Sequence, residues 1–432
     1  MLDVRERPQF VERAFLVGLY QEKHEEAEGA SLLEELGELV HTLGITIVGQ
    51  ALIRVPRMNA RHLVGTGKLE ELVDMAAEVK ADCMVFDNEL SPAQQRNLEE
   101  TTKLCVVDRQ EVILDIFARR AKTKEAKLQV NLARMEWSLP RLKRAWTHLG
   151  RQGGSGGGGA TRGEGEQQIE IDRRIVRKRI DQMRDELTQV RKHRATQRKE
   201  RERTPVPNAA IVGYTNAGKS SLLRYLTHAD VLVADKLFAT LDTATRKVEL
   251  PNGNPLLLTD TVGFVRNLPH RLIEAFKATL EEAVLSEFLM HVVDASQPAA
   301  REYYETTLRV LKELGADQKR MITVWNKIDL VKDRGLLPSL KVLDPDGVFI
   351  SVHTGEGLDE LSQRMQDMIS DRVLQMNLMI PHERSDLISV IHDHGKMLEE
   401  RYEYDGIHVA ASIPKRLVSQ FTPFSCSGIE QL

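Results

Sequence analysis

Apolar residues follow two rhythms along this chain. Short unbroken runs mark buried strands, and three- and four-residue spacings mark helix faces. Arg13–Tyr20 reads as a strand. Ser31 stands as an N-cap with Glu34 three residues on, which predicts a capping box and a helix to about Leu43. Residues 44–49 are strand-like, and a second helix starts near Lys68 with Leu72 and Met75 on one face. Cys83–Phe86 is another strand, Ser91-Pro92 opens a helix with proline at its first position, and residues 104–107 close a β-α-β-α series. A small α/β domain with some parallel sheet is expected over 1–118.

The rhythm then changes. Leu128, Leu132, Met135, Leu139, Leu142, Trp146 and Leu149 alternate four and three apart, as a heptad seam does. Pro140 should kink or break that helix. A second seam runs through Val176, Ile180, Met183, Leu187 and Val190. A glycine-rich stretch at 150–165 joins them, so an antiparallel helical hairpin is expected over 119–203. By composition the stretch is a flexible linker; the sharper alternative is a mobile finger with Arg151 and Arg162 on phosphate. Beyond a charged, Pro-bearing boundary at 200–207, an α/β domain is expected over 204–372. The tail, 373–432, reads as strand 373–380, helix 385–398, and strands 401–404 and 407–413 about a Tyr404-Asp405-Gly406 turn.

Charge sharpens this picture. The 432-residue chain has a formal net charge of −4. Residues 119–203 hold about 24 Lys/Arg against about 11 Asp/Glu. A basic middle on an otherwise acidic chain points to a polyanionic partner, RNA first; solvated basic helix faces are the bland alternative. Arg54, Arg57, Arg61 and His62 are a lesser basic group. Nearby Val64-Gly65-Thr66-Gly67-Lys68 reads as a strand–helix turn, with a phosphate site as the alternative. Cys83, Cys105 and Cys426 are scattered without metal spacing, and no apolar run is long enough for a membrane span. A cytoplasmic monomer with free thiols is expected.

The chemistry centres on Gly213-Tyr214-Thr215-Asn216-Ala217-Gly218-Lys219-Ser220, a G-x-x-x-x-G-K-S pattern between an apolar run at 209–212 and a helical stretch opening with Ser221. Its backbone N–H groups would cradle phosphates, Lys219 would meet the β- and γ-phosphates, and Ser220 would meet Mg²⁺. Within Phe238-Ala239-Thr240-Leu241-Asp242, Thr240 is the expected switch residue for Mg²⁺ and γ-phosphate, with Thr243 and Thr245 as rivals. Asp260-Thr261-Val262-Gly263 would hold Mg²⁺ through water at Asp260 and meet the γ-phosphate with the Gly263 N–H. Asn326-Lys327-Ile328-Asp329 follows a strand-like run, and the Asp329 carboxylate matches the N1–H and N2–H₂ donors that guanine has and adenine lacks. Ser351-Val352-His353 can bring a backbone N–H to guanine O6. Together these predict a GTP- and Mg²⁺-dependent enzyme with Lys219, Thr240 and Gly263 as its catalytic groups.

Several of these runs are similar to the HflX family of translation-related GTPases: Gly-Tyr-Thr-Asn-Ala-Gly-Lys-Ser, Phe-Ala-Thr-Leu-Asp and Asp-Thr-Val-Gly-Phe. So are Leu90-Ser91-Pro92-Ala93-Gln94-Gln95-Arg96-Asn97-Leu98, Asp115-Ile116-Phe117, Trp146-Thr147-His148-Leu149 and Glu170-Ile171-Asp172-Arg173-Arg174. The resemblance covers most of residues 12–420. It implies a GTPase that binds the large (50S) ribosomal subunit and its rRNA and splits or rescues ribosomes under stress. It implies that the hairpin loop approaches the peptidyl-transferase region, although this loop carries Arg-Gly-Glu-Gly-Glu where the family usually has Arg-Gly-Pro-Gly-Glu. It also implies ATP binding or RNA unwinding at the N-terminal domain, so an RNA-remodelling ATPase regulated by the GTPase is the rival function.

Two details bear on mechanism. Phe264 occupies the place where Ras-like enzymes carry a water-orienting glutamine, so slow intrinsic hydrolysis and ribosomal stimulation are expected. Asn216 resembles the asparagine of P-loops that use K⁺; a loop-stabilising role is the alternative.

Overall fold

The computed structural model describes residues 11–144, 162–201, 206–227, 238, 244–267, 283–332, 335–370, 373–415 and 417–426. The chain forms two compact units. One takes in residues 1–191 with the short segments 235–242 and 266–277; the other takes in 192–234, 243–265 and 278–432.

The first unit begins with β1 (Arg13–Tyr20), whose interior is buried on both faces, as the middle of a parallel sheet requires. Then come α1 (Glu26–Thr42), β2 (Thr46–Arg54), α2 (Thr66–Glu78), β3 (Cys83–Phe86), α3 (Pro92–Thr102), β4 (Cys105–Asp108) and α4 (Arg109–Arg120). The described strands pair in parallel in the order β2-β1-β3-β4. Ser91 caps α3 with a capping box to Gln94, as its Ser-Pro opening predicts.

Three expectations need correction here. Ser31 is not an N-cap: α1 already begins at Glu26, and the capping box lies one turn earlier, on Glu22 and Glu25. The first helical turns are charged and carry no apolar face to betray them. The buried face of α2 is Leu69, Leu72 and Ala76, while Met75 is 41% exposed. The β2 strand runs on to Arg54, past the residue-49 end its apolar run suggested. Gly65 is the N-cap of α2 and Lys68 pairs with Glu71, so this segment opens a helix, although β2 has already ended at Arg54 and no described strand runs directly into it. His62, grouped by sequence with the surface arginines, is buried.

Next come α5 (Lys124–Ser138), a tight helical turn over Leu139–Arg144 that contains Pro140, and α6 (Arg162–Arg201). Leu132, Ile180, Met183 and Leu187 bury one another, flanked by Leu128, Met135, Leu139 and Val176. Both seams therefore meet. Arg174, Arg177, Lys178 and Arg179 face solvent. Most of the glycine-rich stretch, with Arg151, Trp146 and Leu149, lies outside the described residues.

The second unit carries β5 (Asn208–Gly213), α7 (Lys219–Thr227), β6 (Ala244–Glu249), β7 (Pro255–Asp260), β8 (Phe288–Asp294), α8 (Ala300–Glu313), β9 (Arg320–Asn326), α9 (Leu336–Leu343), β10 (Val348–Phe349) and α10 (Leu358–Ser370). The described strands pair in the order β10-β9-β8-β5-β7-β6, with β6 alone antiparallel. Ile211, Leu222, Leu258, Met290, Val324 and Leu361 belong to its core.

The tail forms an antiparallel sheet, β11 (Val373–Ile380), β12 (Lys396–Glu403) and β13 (Gly406–Pro414), in the order β11-β13-β12. Its helix, α11 (Asp386–His394), stops before Gly395, short of the expected residue 398. Met397 and Leu398 belong to β12; an apolar pair beside a helix end suits either element. No described helix is long and apolar enough to cross a membrane.

Candidate functional site

Every expected site segment of the second unit that is described leaves the C-terminal end of a parallel strand. Gly213 ends β5, Asp260 ends β7 and Asn326 ends β9; Asp294, which the sequence did not single out, ends β8 between them. Open α/β sheets gather ligands at this edge, and here a helix N-terminus adds its dipole.

Glycine is required at two points of the loop between β5 and α7. Gly213 has φ +144°, and a Cβ there would stand 2.1 Å from the Val292 carbonyl oxygen. Gly218 has φ +97°, and its Cβ would stand 2.2 Å from Asn326 Nδ2. Asn216 is exposed with φ +60°, a left-handed conformation that asparagine tolerates better than most residues. The Tyr214 ring is buried and stacks on Tyr303 with centroids 4.0 Å apart, so only its backbone faces the loop. Ala217 is buried, and Ser221 is half-buried in α7.

Lys219 Nζ donates to the carbonyls of Gly213 at 3.0 Å and Tyr214 at 2.6 Å. Burial pulls this ammonium down to about 8; Asp260 opposes the shift and Lys327 adds to it. Ser220 Oγ donates to Asp260 Oδ2 at 2.6 Å, so the two oxygen groups expected on Mg²⁺ are neighbours. The segment after Asp260 lies across the loop. Thr215 N–H donates to Phe264 O at 2.8 Å, and Phe264 N–H donates to Gly213 O at 3.1 Å. A Cβ on Gly263 would stand 2.9 Å from Lys219 Nζ. The Phe264 side chain is 1% exposed.

Asn326 Nδ2 donates to Ala217 O at 2.9 Å, while its Oδ1 accepts the Val352 N–H at 3.2 Å. Lys327 pairs with Asp294 at 2.7 Å, and Asp329 is exposed on a single helical turn, Ile328–Leu330. Ser351 is buried and caps the turn through the Thr354 N–H, with His353 exposed beside it.

The structure thus brings the phosphate loop, Asp260, Gly263, the Asn326–Asp329 turn and residues 351–353 to one edge of one sheet. Thr240 and Thr243 lie outside the described residues. Thr245 is on β6, where its hydroxyl meets that of Thr259 at 2.9 Å. Phe238 is buried against Phe117, with centroids 4.5 Å apart. The Lys327–Asp294 pair and the Asn326 brace were not read from the sequence, because each joins residues far apart along the chain.

Three family models match. They are described as GTP-binding GTPase N-terminal, over residues 30–118; GTP-binding GTPase Middle Region, over 120–201; and 50S ribosome-binding GTPase, over 208–327. The chain is 54% identical to a GTPase HflX of Akkermansia muciniphila, across 98% of this chain and 99% of that one. It is 39% identical to the GTPase HflX of Escherichia coli, across 91% and 92%. Among solved structures, a GTP-binding protein from the archaeon Sulfolobus solfataricus in complex with GDP aligns over 83% of this chain and 99% of its own, at 24% identity and a TM-score of 0.43. Full-length similarity and the GTPase family match over 208–327 agree: the chain belongs to the HflX family of GTPases and is a GTP hydrolase.

Proposed function

We propose that this GTPase is a switch whose hydrolysis is completed by the large ribosomal subunit, and that it splits or rescues ribosomes under stress in the cytoplasm. The observation that carries the reading is the burial of Phe264 immediately after Gly263. A phenyl ring cannot orient an attacking water, so a partner must order that step. The exposed basic face of α6 suits ribosomal RNA as the polyanion.

The residues take these roles in the proposal. The loop from Gly213 to Ser221 cradles the phosphates, and Lys219 turns from its carbonyls onto the β- and γ-phosphates, where it stabilises developing charge. Gly263 N–H and Thr240 read the γ-phosphate. Asp329 accepts from the guanine edge, and the 351–353 backbone donates to O6. Ser220, Thr240 and Asp260, directly or through water, form a hard-oxygen donor set that suits Mg²⁺, which would neutralise β- and γ-phosphate charge. Asn216 is the residue that would meet a K⁺ ion. The four sections 1–118, 119–203, 204–372 and 373–432 are proposed as its domains.

The test is GTP hydrolysis at fixed salt, alone and with purified large subunits. Strong stimulation that is lost on deleting residues 150–165 is expected. Equal rates with and without subunits would sink the ribosome-gated reading and leave the GTPase chemistry standing.

A further inference from the structure

In the first unit, strand order reverses between β1 and β3. In a parallel sheet this switch point opens a crevice at the C-terminal edge, where such folds take their ligands. Here an arginine from far along the chain fills it. Arg266 is 7% exposed. Its Nε donates to Glu35 Oε2 at 2.9 Å, and one terminal nitrogen donates to both the hydroxyl and the carbonyl of Ser31 at 3.0 Å. The other Glu35 oxygen pairs with Arg109 at 3.0 Å, and Arg109 also binds Asp87, just past β3. Without Arg266 the crevice holds two carboxylates against one guanidinium. A buried guanidinium is tolerable only when its donors are met in this way.

A second contact falls on the same helix. Arg109 opens α4, and Phe117 two turns later packs in a T-shaped pair with Phe238, whose backbone is left-handed at φ +54°. Arg266 lies three residues after Gly263, and Phe238 two before Thr240. Both anchored residues therefore belong to the segments that the GTP reading assigns to γ-phosphate sensing.

We propose that Glu35 and Phe117 are the receptors of a two-point latch, with Arg266 and Phe238 as its bolts, and that the latch opposes GTP more than GDP. The inference rests on the role of Gly263 in the proposed function. With Arg266 seated, the Gly263–Phe264 backbone is bonded across the phosphate loop, and Gly263 stands beside the ammonium that a γ-phosphate needs. A γ-phosphate requires Gly263 to draw back, and a bolt three residues away restrains that movement to the reach of about 10 Å of chain. GDP makes no such demand. By reciprocity, nucleotide that drives Gly263 back weakens the latch by the factor with which the latch weakens nucleotide.

The experiment measures equilibrium affinity for GDP and for a non-hydrolysable GTP analogue in the full chain, wild type, Arg266→Ala and Arg266→Lys. Arg266→Ala should shift the preference toward the GTP analogue by about fivefold or more, and Arg266→Lys, which keeps charge but loses the fork, by less. Hydrogen exchange on the wild type covers the case in which the alanine variant folds poorly: amides of α1 around Glu35 should exchange faster with the GTP analogue than with GDP. An unchanged preference, a shift toward GDP, or identical exchange with both nucleotides overturns the latch while leaving the GTP site intact. A wild type that binds neither nucleotide overturns the GTP site, and the latch with it.

Discussion

Asn326 Nδ2 donates to the Ala217 carbonyl at 2.9 Å, across 109 positions of sequence. The first residue of the guanine motif therefore braces the phosphate loop, and through its Oδ1 it also holds Val352. Gly218 leaves the room this requires. Gly218→Ala would put a Cβ 2.2 Å from Nδ2 in a left-handed backbone. It should lose about 2 kcal/mol or more of stability, and nucleotide affinity with it. Denaturant unfolding together with GDP titration checks this. A variant that unfolds at the wild-type midpoint would contradict the brace.

Lys219 predicts how binding depends on pH. Its ammonium is pulled down to about 8 by burial, and phosphates would restore the charged form. Binding above that pH must take up a proton. GDP affinity should be flat below about pH 8 and fall by up to about tenfold per pH unit above it. Lys219→Arg should bind more weakly but lose this pH dependence, since guanidinium stays charged. An affinity that holds constant to about pH 10 would contradict the assignment.

Asp108 governs stability rather than binding. Its carboxylate accepts the Leu90 N–H at 3.2 Å and the Glu111 N–H at 2.9 Å, yet burial raises it from 3.8 to about 6. The folded form then holds more protons than the unfolded one between those values. Stability is favoured at low pH and declines as pH rises through that window, by an order-of-magnitude maximum of about 3 kcal/mol. Unfolding of wild type and Asp108→Asn at several pH values should show a shallower decline in the variant. Parallel curves would remove Asp108 as the cause.

His291 is fully buried on β8, stacked on Tyr304 with centroids 5.1 Å apart. Burial holds its pKa near 3, so the ring is neutral at ordinary pH. Among the described residues neither ring nitrogen has a hydrogen-bond partner. His291→Phe keeps the stacking and removes two buried polar atoms, so stability should rise by about 1 kcal/mol. A calorimetric loss instead would mean that the imidazole has a structural partner.

Elements whose requirements are local are legible along the chain. Gly213 and Gly218 are legible because their backbone angles and close approaches require glycine. The Ser91-Pro92 opening is legible because a cap and its helix are neighbours, and the two hairpin seams because their period is written in Leu132, Ile180, Met183 and Leu187. Ser31 was misread for the same reason: a Ser-x-x-Glu pattern looks like a cap whether or not the helix has already begun. What Ser31 does in the fold, receiving Arg266 from 235 positions away, emerges only when distant segments pack together. A lone arginine after Gly263 and a lone phenylalanine before Thr240 carry no periodic signal. Their meaning lies in burial, where a guanidinium must find carboxylates and a ring must find another ring. Those partners are chosen by the fold, not by spacing along the chain.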